Sequence, residues 1–363
     1  MSALLIADFM PIVVVGIALG PLVDRWSRRG LLIVSDLARA AVFCLLPFAD
    51  RPASIVALAF VAGVATGFFR PAVYAGLPNL VSDEELPSAN SLLQAVENVA
   101  WTIGPVVGGI LVAAEGPGLA YWLNAATFVV SAALIARIPS GKLQAGEIES
   151  RGHWRDVGDG IRLVLTSRPL LTVLVVWNVA LLGSASINVA EIVLAKVSLD
   201  AGDVGFGVLV GATGVGLTFG SLLAPRLLDR LGTRGAYGGS LVLMGVGIGL
   251  AAIAPAIWVA VAGVIVGAVG NGAAVVVNAL LVQRGAPDDL RGRAFTVIMS
   301  SNYVVLGLAM VAAGPLVDAY GARWVFGSAS VAFLLAAAVA AVLARGIETA
   351  EQARLEEALA SRV

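Results

Sequence analysis

Charge is what this sequence has least of. Asp, Glu, Lys and Arg make up only 13% of its 363 residues, about half the share that a water-exposed domain carries. A solvated surface cannot be built from that composition. Cysteine and histidine are scarcer still, with one of each, Cys44 and His153. That excludes a disulfide framework and leaves too few soft ligands for a metal centre. Acidic and basic residues nearly cancel, 24 against 23, so no global field exists to draw the chain to nucleic acid. No Gly-rich phosphate loop and no nucleophile with a base and an orienting group can be found. The sequence therefore predicts no cofactor, no metal and no enzymatic activity, and an ion gradient in place of a nucleotide as energy source.

Apolar residues fill the space, at 59% of the chain with a mean hydropathy of +0.94. They fall into eleven runs at 4–23, 31–49, 54–78, 90–113, 119–138, 169–192, 205–225, 236–254, 257–282, 294–317 and 323–345. Each approaches the ~20 residues that carry a helix across the hydrocarbon layer. Helices are expected because backbone groups in lipid must be satisfied within their own segment, and the alternation of barrel strands is absent. Glycine is over-represented, with 42 residues concentrated in these runs, where small side chains let lipid-embedded helices approach closely. The lipid bilayer is thus the first partner the sequence implies.

Placing the loop after the first run in the cytoplasm and alternating from there puts eighteen of the 23 Lys and Arg residues inside and three outside, with Arg39 and Arg70 within runs. This asymmetry predicts a multi-pass cell-membrane protein with the start of the chain outside and its end cytoplasmic. The one long polar interruption divides the chain into a five-span bundle over 1–138, a cytoplasmic linker over 139–168, a six-span bundle over 169–345 and a charged tail over 346–363. Within the linker Trp154, Val157, Ile161 and Leu165 recur at helical spacing, which fits either a helix lying on the membrane surface or a solvated loop.

The runs repeat. The first ends Gly20-Pro21-Leu22-Val23-Asp24 and the tenth ends Gly314-Pro315-Leu316-Val317-Asp318, the same five residues. The fourth carries Gly104-Pro105-Val106-Val107-Gly108-Gly109, and the seventh carries Gly211, Gly214, Gly216 and Gly220 before Ala224-Pro225. First, fourth, seventh and tenth make a period of three, as nested three-helix repeats produce.

With these residues in view the chain resembles the major facilitator superfamily of secondary transporters. The stretch from Gly20 through Asp24, Arg25, Arg28 and Arg29 is similar to that family's signature loop, and Gly104, Pro105, Gly108 and Gly109 resemble its drug-efflux motif. Leu77-Pro78-Asn79-Leu80-Val81, Leu86-Pro87-Ser88-Ala89-Asn90 and Pro287-Asp288-Asp289-Leu290-Arg291-Gly292-Arg293 look like the branch of enterobactin exporters and macrolide-efflux proteins. The resemblance implies an all-α bundle of two pseudo-symmetric halves, eleven spans being seen of twelve, with the family's opening helix missing. It implies a proton antiporter that expels a drug or siderophore-like small molecule by alternating access. An uptake carrier of the same fold, or a truncated module that does not transport, stays open as an alternative. The chain departs from the family where Ala59 and Ala62 precede Gly63 in place of an Arg-x-x-Gln-Gly element, and where Ala224 stands opposite Asp24 in the second half.

Within this frame Asp24 and the neighbouring arginines are expected to latch one orientation of the bundles, or simply to anchor their loop inside. Asp36 and Arg39, three apart on one helix, are expected to neutralise each other. Glu97 stands ten residues beyond Pro87, about 15 Å into the layer, where an unpaired charge costs at least ~2.5 kcal/mol. It is expected to carry a proton or to pair with Arg70, and it continues a polar stripe through Gln94 and Asn98. By resemblance Arg70, Asn178, Glu191, Asn271 and Asn278 line the cavity or take part in coupling; amides there can also serve as glue between helices.

Overall fold

The computed structural model describes residues 27–143 and 153–343. Every regular element among them is helical. There are ten α-helices: α1 Arg28–Leu45, α2 Pro52–Gly76, α3 Leu86–Glu115, α4 Pro117–Ile135, α5 His153–Thr166, α6 Arg168–Val193, α7 Gly202–Ala252, α8 Ile257–Gly285, α9 Asp288–Tyr320 and α10 Ala322–Leu343. All but α5 are long and apolar enough to cross a membrane. The apolar runs from 31–49 onward overlap these nine. Two of the runs, 205–225 and 236–254, fall in α7, which Gly232 bends with a left-handed φ of 66° that breaks the helical path. The run 4–23 and the tail over 346–363 lie outside the described residues.

Local chemistry sets the helix ends. The Ser27 hydroxyl accepts the Gly30 N–H at 3.1 Å and caps α1. Pro52, Pro87, Pro117 and Pro169 occupy first turns, where the missing N–H costs nothing. Gly116, at φ 77°, turns the chain sharply from α3 into α4. Asp288 and Asp289 stand in the first turn of α9, facing its positive end.

Contacts divide the chain into two compact units. The first comprises residues up to Leu86, Ile103–Val164 and Ala286–Tyr303. Here α1 packs on α2 and α4, with Leu32, Ala72 and Leu143 buried among Phe69, Val73, Ile135 and Ile138. Phe43 meets Tyr121 and Phe128 at ring distances of 6.3 and 5.7 Å. The beginning of α9 adds Phe295, 5.6 Å from Tyr74. The linker segment does form a helix, α5, and it is not free on a surface. Gly160 lies close against the Arg293 and Val297 side chains of α9, and Val164 is fully buried.

The second unit comprises Pro87–Thr102, Leu165–Gly285 and the residues from Val304. Its centre is the α7–α8 crossing, flanked by α10 and α6. Glycines bring backbone against backbone there. A β-carbon on Gly220 would strike the Val269 carbonyl, one on Gly272 the Leu217 carbonyl, and one on Gly247 the Gly267 amide. Such small-residue seams replace the hydrophobic drive that lipid removes. Away from these interiors large apolar side chains point outward, among them Phe219, Trp258 and Val311, as lipid contact requires.

Candidate functional site

Polar side chains gather at one end of the first unit, drawn from three distant parts of the chain. Arg28, 4% exposed, reaches the Asp288 carboxylate at 2.9 Å, the Asp288 carbonyl at 2.5 Å and the Leu143 carbonyl at 3.0 Å. Asn79, in the turn that ends α2, donates to the same carboxylate oxygen at 2.9 Å and to the Leu143 carbonyl at 3.1 Å. Arg291 completes the group 3.0 Å from Asp288. One carboxylate thus gathers two guanidinium groups and an amide, charge-assisted bonds that are short and directional. Beside them Arg29 donates to the Ala136 carbonyl at the end of α4.

Deeper between α2 and α9, beyond the Tyr74–Phe295 pair, the first unit holds a small cleft of about 10 Å³. Arg70 lines it together with Thr66, Thr296, Ser300 and Tyr303, and its guanidinium donates to the Tyr303 hydroxyl at 3.4 Å. Hydroxyls and a cation set in an apolar wall leave room there for about one water molecule.

Comparison with known proteins now bears on this geometry. The sequence model described as "Transmembrane secretion effector" matches residues 1–360. The chain belongs to this major facilitator family. It is similar to the multidrug efflux pump Tap of Mycolicibacterium fortuitum, with 26% identity over 95% of this chain and 87% of the relative. It is similar also to the putative bacilysin exporter BacE of Bacillus subtilis, with 27% identity over 78% and 71% of the two chains. Its fold is that of a bacterial homologue of the iron transporter ferroportin in an outward-facing state, at TM-score 0.78 and 17% identity over 94% and 89%. As a transmembrane secretion effector the protein is a multi-pass membrane transporter for small molecules, and its described spans are α-helices throughout.

The residues singled out from sequence scatter within this transporter. Arg28 and Arg29 join the end cluster, whereas Gly20, Asp24 and Arg25 lie outside the described residues. Asp36 and Arg39 do pair, at 2.6 Å, and the Arg39 guanidinium sits between the Phe69 and Phe128 rings at 4.2 and 4.5 Å. Glu97 is half-buried on α3, and Gln94 donates to Asn98 at 3.0 Å one turn along the stripe. Asn178 donates to the Leu174 carbonyl of its own helix at 2.7 Å. Asn278 is buried and Asn271 half-buried on α8. Glu191, 9% exposed near the end of α6, has one carboxylate oxygen without a hydrogen-bond partner among the described residues.

Glycines in the apolar runs were expected to let helices approach closely, yet no described residue lies within 4 Å of where a β-carbon on Gly104, Gly108 or Gly109 would stand. The close approaches belong to α7 and α8 instead. Asp288, Asn79 and Tyr303 were not foreseen as site residues. Two acids opening a helix just after Pro287 signalled an electrostatic role for the first of these; nothing local marked the other two.

Proposed function

We propose that this transporter expels small molecules from the cell in exchange for protons, as a drug- or siderophore-type exporter that alternates access between two pseudo-symmetric halves of an eleven-span or longer bundle. The basic ends of the helices face the cytoplasm on this reading, since that is where most Lys and Arg fall. The observation that carries it is the Arg28–Asp288 ion pair. It ties the start of α1, within the signature loop, to the start of α9, 260 residues away, at helix ends where water can take over once the pair opens. Asp24 and Arg25 belong to the same loop and act with Arg28 and Arg29 as the latch of one access state. The efflux direction is supported by the Gly104-Pro105 motif and by relatives described as efflux pumps and exporters. Glu97, at the middle of α3, is the carboxylate best set to carry the exchanged proton. Arg70, Asn178, Glu191, Asn271 and Asn278 are the polar groups offered to the cavity.

Reconstituted vesicles with an imposed proton gradient test this directly, using a panel of dyes and small antibiotics as cargo. Flux should follow the gradient in the parent, and Glu97→Gln should uncouple it while leaving gradient-free exchange. Gradient-driven flux equal to the parent in Glu97→Gln would remove that residue's coupling role. Export that ignores the gradient altogether would remove proton coupling.

A further inference from the structure

The beginning of α3 belongs to the second unit, where buried polar side chains join it to α7 and α8. Asn90 and Gln283, each 1% exposed, exchange two hydrogen bonds. The Asn90 amide donates to the Gln283 oxygen at 2.6 Å, and the Gln283 amide returns the bond at 3.2 Å. Next to them the Ser91 hydroxyl donates to the Ser221 carbonyl of α7 at 2.7 Å. Further along, Thr102 fills the notch left by Gly214. All three contacts are neutral, and the carboxamide pair satisfies one donor and one acceptor on each side.

Two features suit this pair to opening. First, α3 passes from one compact unit into the other between Thr102 and Ile103, directly before Gly104-Pro105. Pro105 removes one helical hydrogen bond and Gly104 offers no side-chain resistance to bending. A rearrangement that pulls on α3 without bending it at this point releases its first half from α7 and α8. Second, the pair lies near helix ends, Asn90 on the second turn of α3 and Gln283 two residues before the end of α8. Water can satisfy both amides when they part. The Ser330 bond to the Gly245 carbonyl, at 2.6 Å in the middle of α10, has no such replacement.

Resting on the alternating-access reading, we infer that the Asn90–Gln283 carboxamide pair is a second, uncharged catch that opens once in every transport cycle. Asn90 and Gln283 are accordingly positioning residues of transport. The pair sets the balance between two states, so its loss alters turnover and leaves substrate affinity unchanged. Because neither partner is ionised, its strength does not depend on salt or pH, in contrast to the Arg28–Asp288 pair.

Spin labels test this on the full chain, in a Cys44→Ser background with Ser88→Cys and Arg284→Cys. Those two exposed positions flank the pair and leave it intact. Distance measurements in lipid should give two populations, and adding Asn90→Leu should shift weight to the longer one roughly tenfold, since it removes both hydrogen bonds of the pair. The exchange variant Asn90→Gln with Gln283→Asn, which keeps two facing carboxamides, should recover the parent distribution. A single short distance that Asn90→Leu does not alter would overturn the catch. This readout needs no substrate, so it stands apart from the flux assay: flux without a second distance sinks the catch alone, and two distances without flux sink the exporter reading alone. If Asn90→Leu does not fold, the parent's distances and a cross-link between Asn90→Cys and Gln283→Cys decide the matter. The cross-link should stop flux at least tenfold and reduction restore it, whereas full cross-linking with undiminished flux overturns the proposal.

Discussion

The α7–α8 seam and the polar group around Asp288 are both tight contacts, but they are tight for opposite reasons. The seam is made of absent side chains: Gly220, Gly247 and Gly272 let backbones meet where nothing polar is exchanged. The Asp288 group is made of long side chains that converge on a single carboxylate from α1, the α2 turn and α9. A seam of the first kind has no second arrangement, because any offset puts a carbonyl into a neighbour. A group of the second kind can disperse and re-form, because each guanidinium and amide can bond to water instead. Fixed seams and contacts that can disperse thus use different residue types, and both types are present in one Gly-rich, charge-poor sequence.

The sharpest way to break this comparison is to fill the seam. Gly220→Val places two methyl groups into the Val269 carbonyl. It should cost more than the ~1–3 kcal/mol of ordinary overpacking, read as lost expression or a sharply lowered melting temperature in detergent. A stable, correctly inserted Gly220→Val protein would show that α7 and α8 can slide. A smaller effect is expected at the other contact. Asp288→Ala takes the shared carboxylate from Arg28 and Arg291, and with Asp288 about a quarter exposed the loss should be nearer ~2 kcal/mol than the value for a fully buried pair. Flux should fall further than stability does, and Asp288→Asn should recover part of it by keeping the Asn79 and Arg28 bonds. Equal loss in both variants would assign the group to charge alone.

Much of this architecture was legible beforehand. The apolar runs from 31–49 onward overlap the nine long described helices, because a ~20-residue apolar stretch has few alternatives in lipid. The Asp36–Arg39 pair followed from spacing alone. The bend at Gly232 was readable as a break between two runs. What the sequence could not reveal was partnership over long distances. Nothing near Arg28 names Asp288, and nothing near Asn90 names Gln283, since pairing across 260 or 193 positions is a property of the fold. Glycine was the most misleading letter: the same residue marks backbone contact in α7 and open surface in α3, and only the neighbours distinguish them.

That ambiguity yields the smallest effect and the most discriminating one. At Gly109 a methyl group meets no described residue within 4 Å, so Gly109→Ala adds no clash with them and gains helix propensity. Stability should rise by ~0.5–1 kcal/mol, the usual difference between the two residues in a helix interior, measured as a higher melting temperature in detergent. Destabilisation beyond ~1 kcal/mol would mean that this face is packed in the resting protein, and the contrast between α3 and the α7–α8 seam would collapse. If stability rises while flux falls, the open glycines are needed in a state other than the one described here. The methyl then penalises that state alone, which is how a small residue held in reserve differs from one already in use.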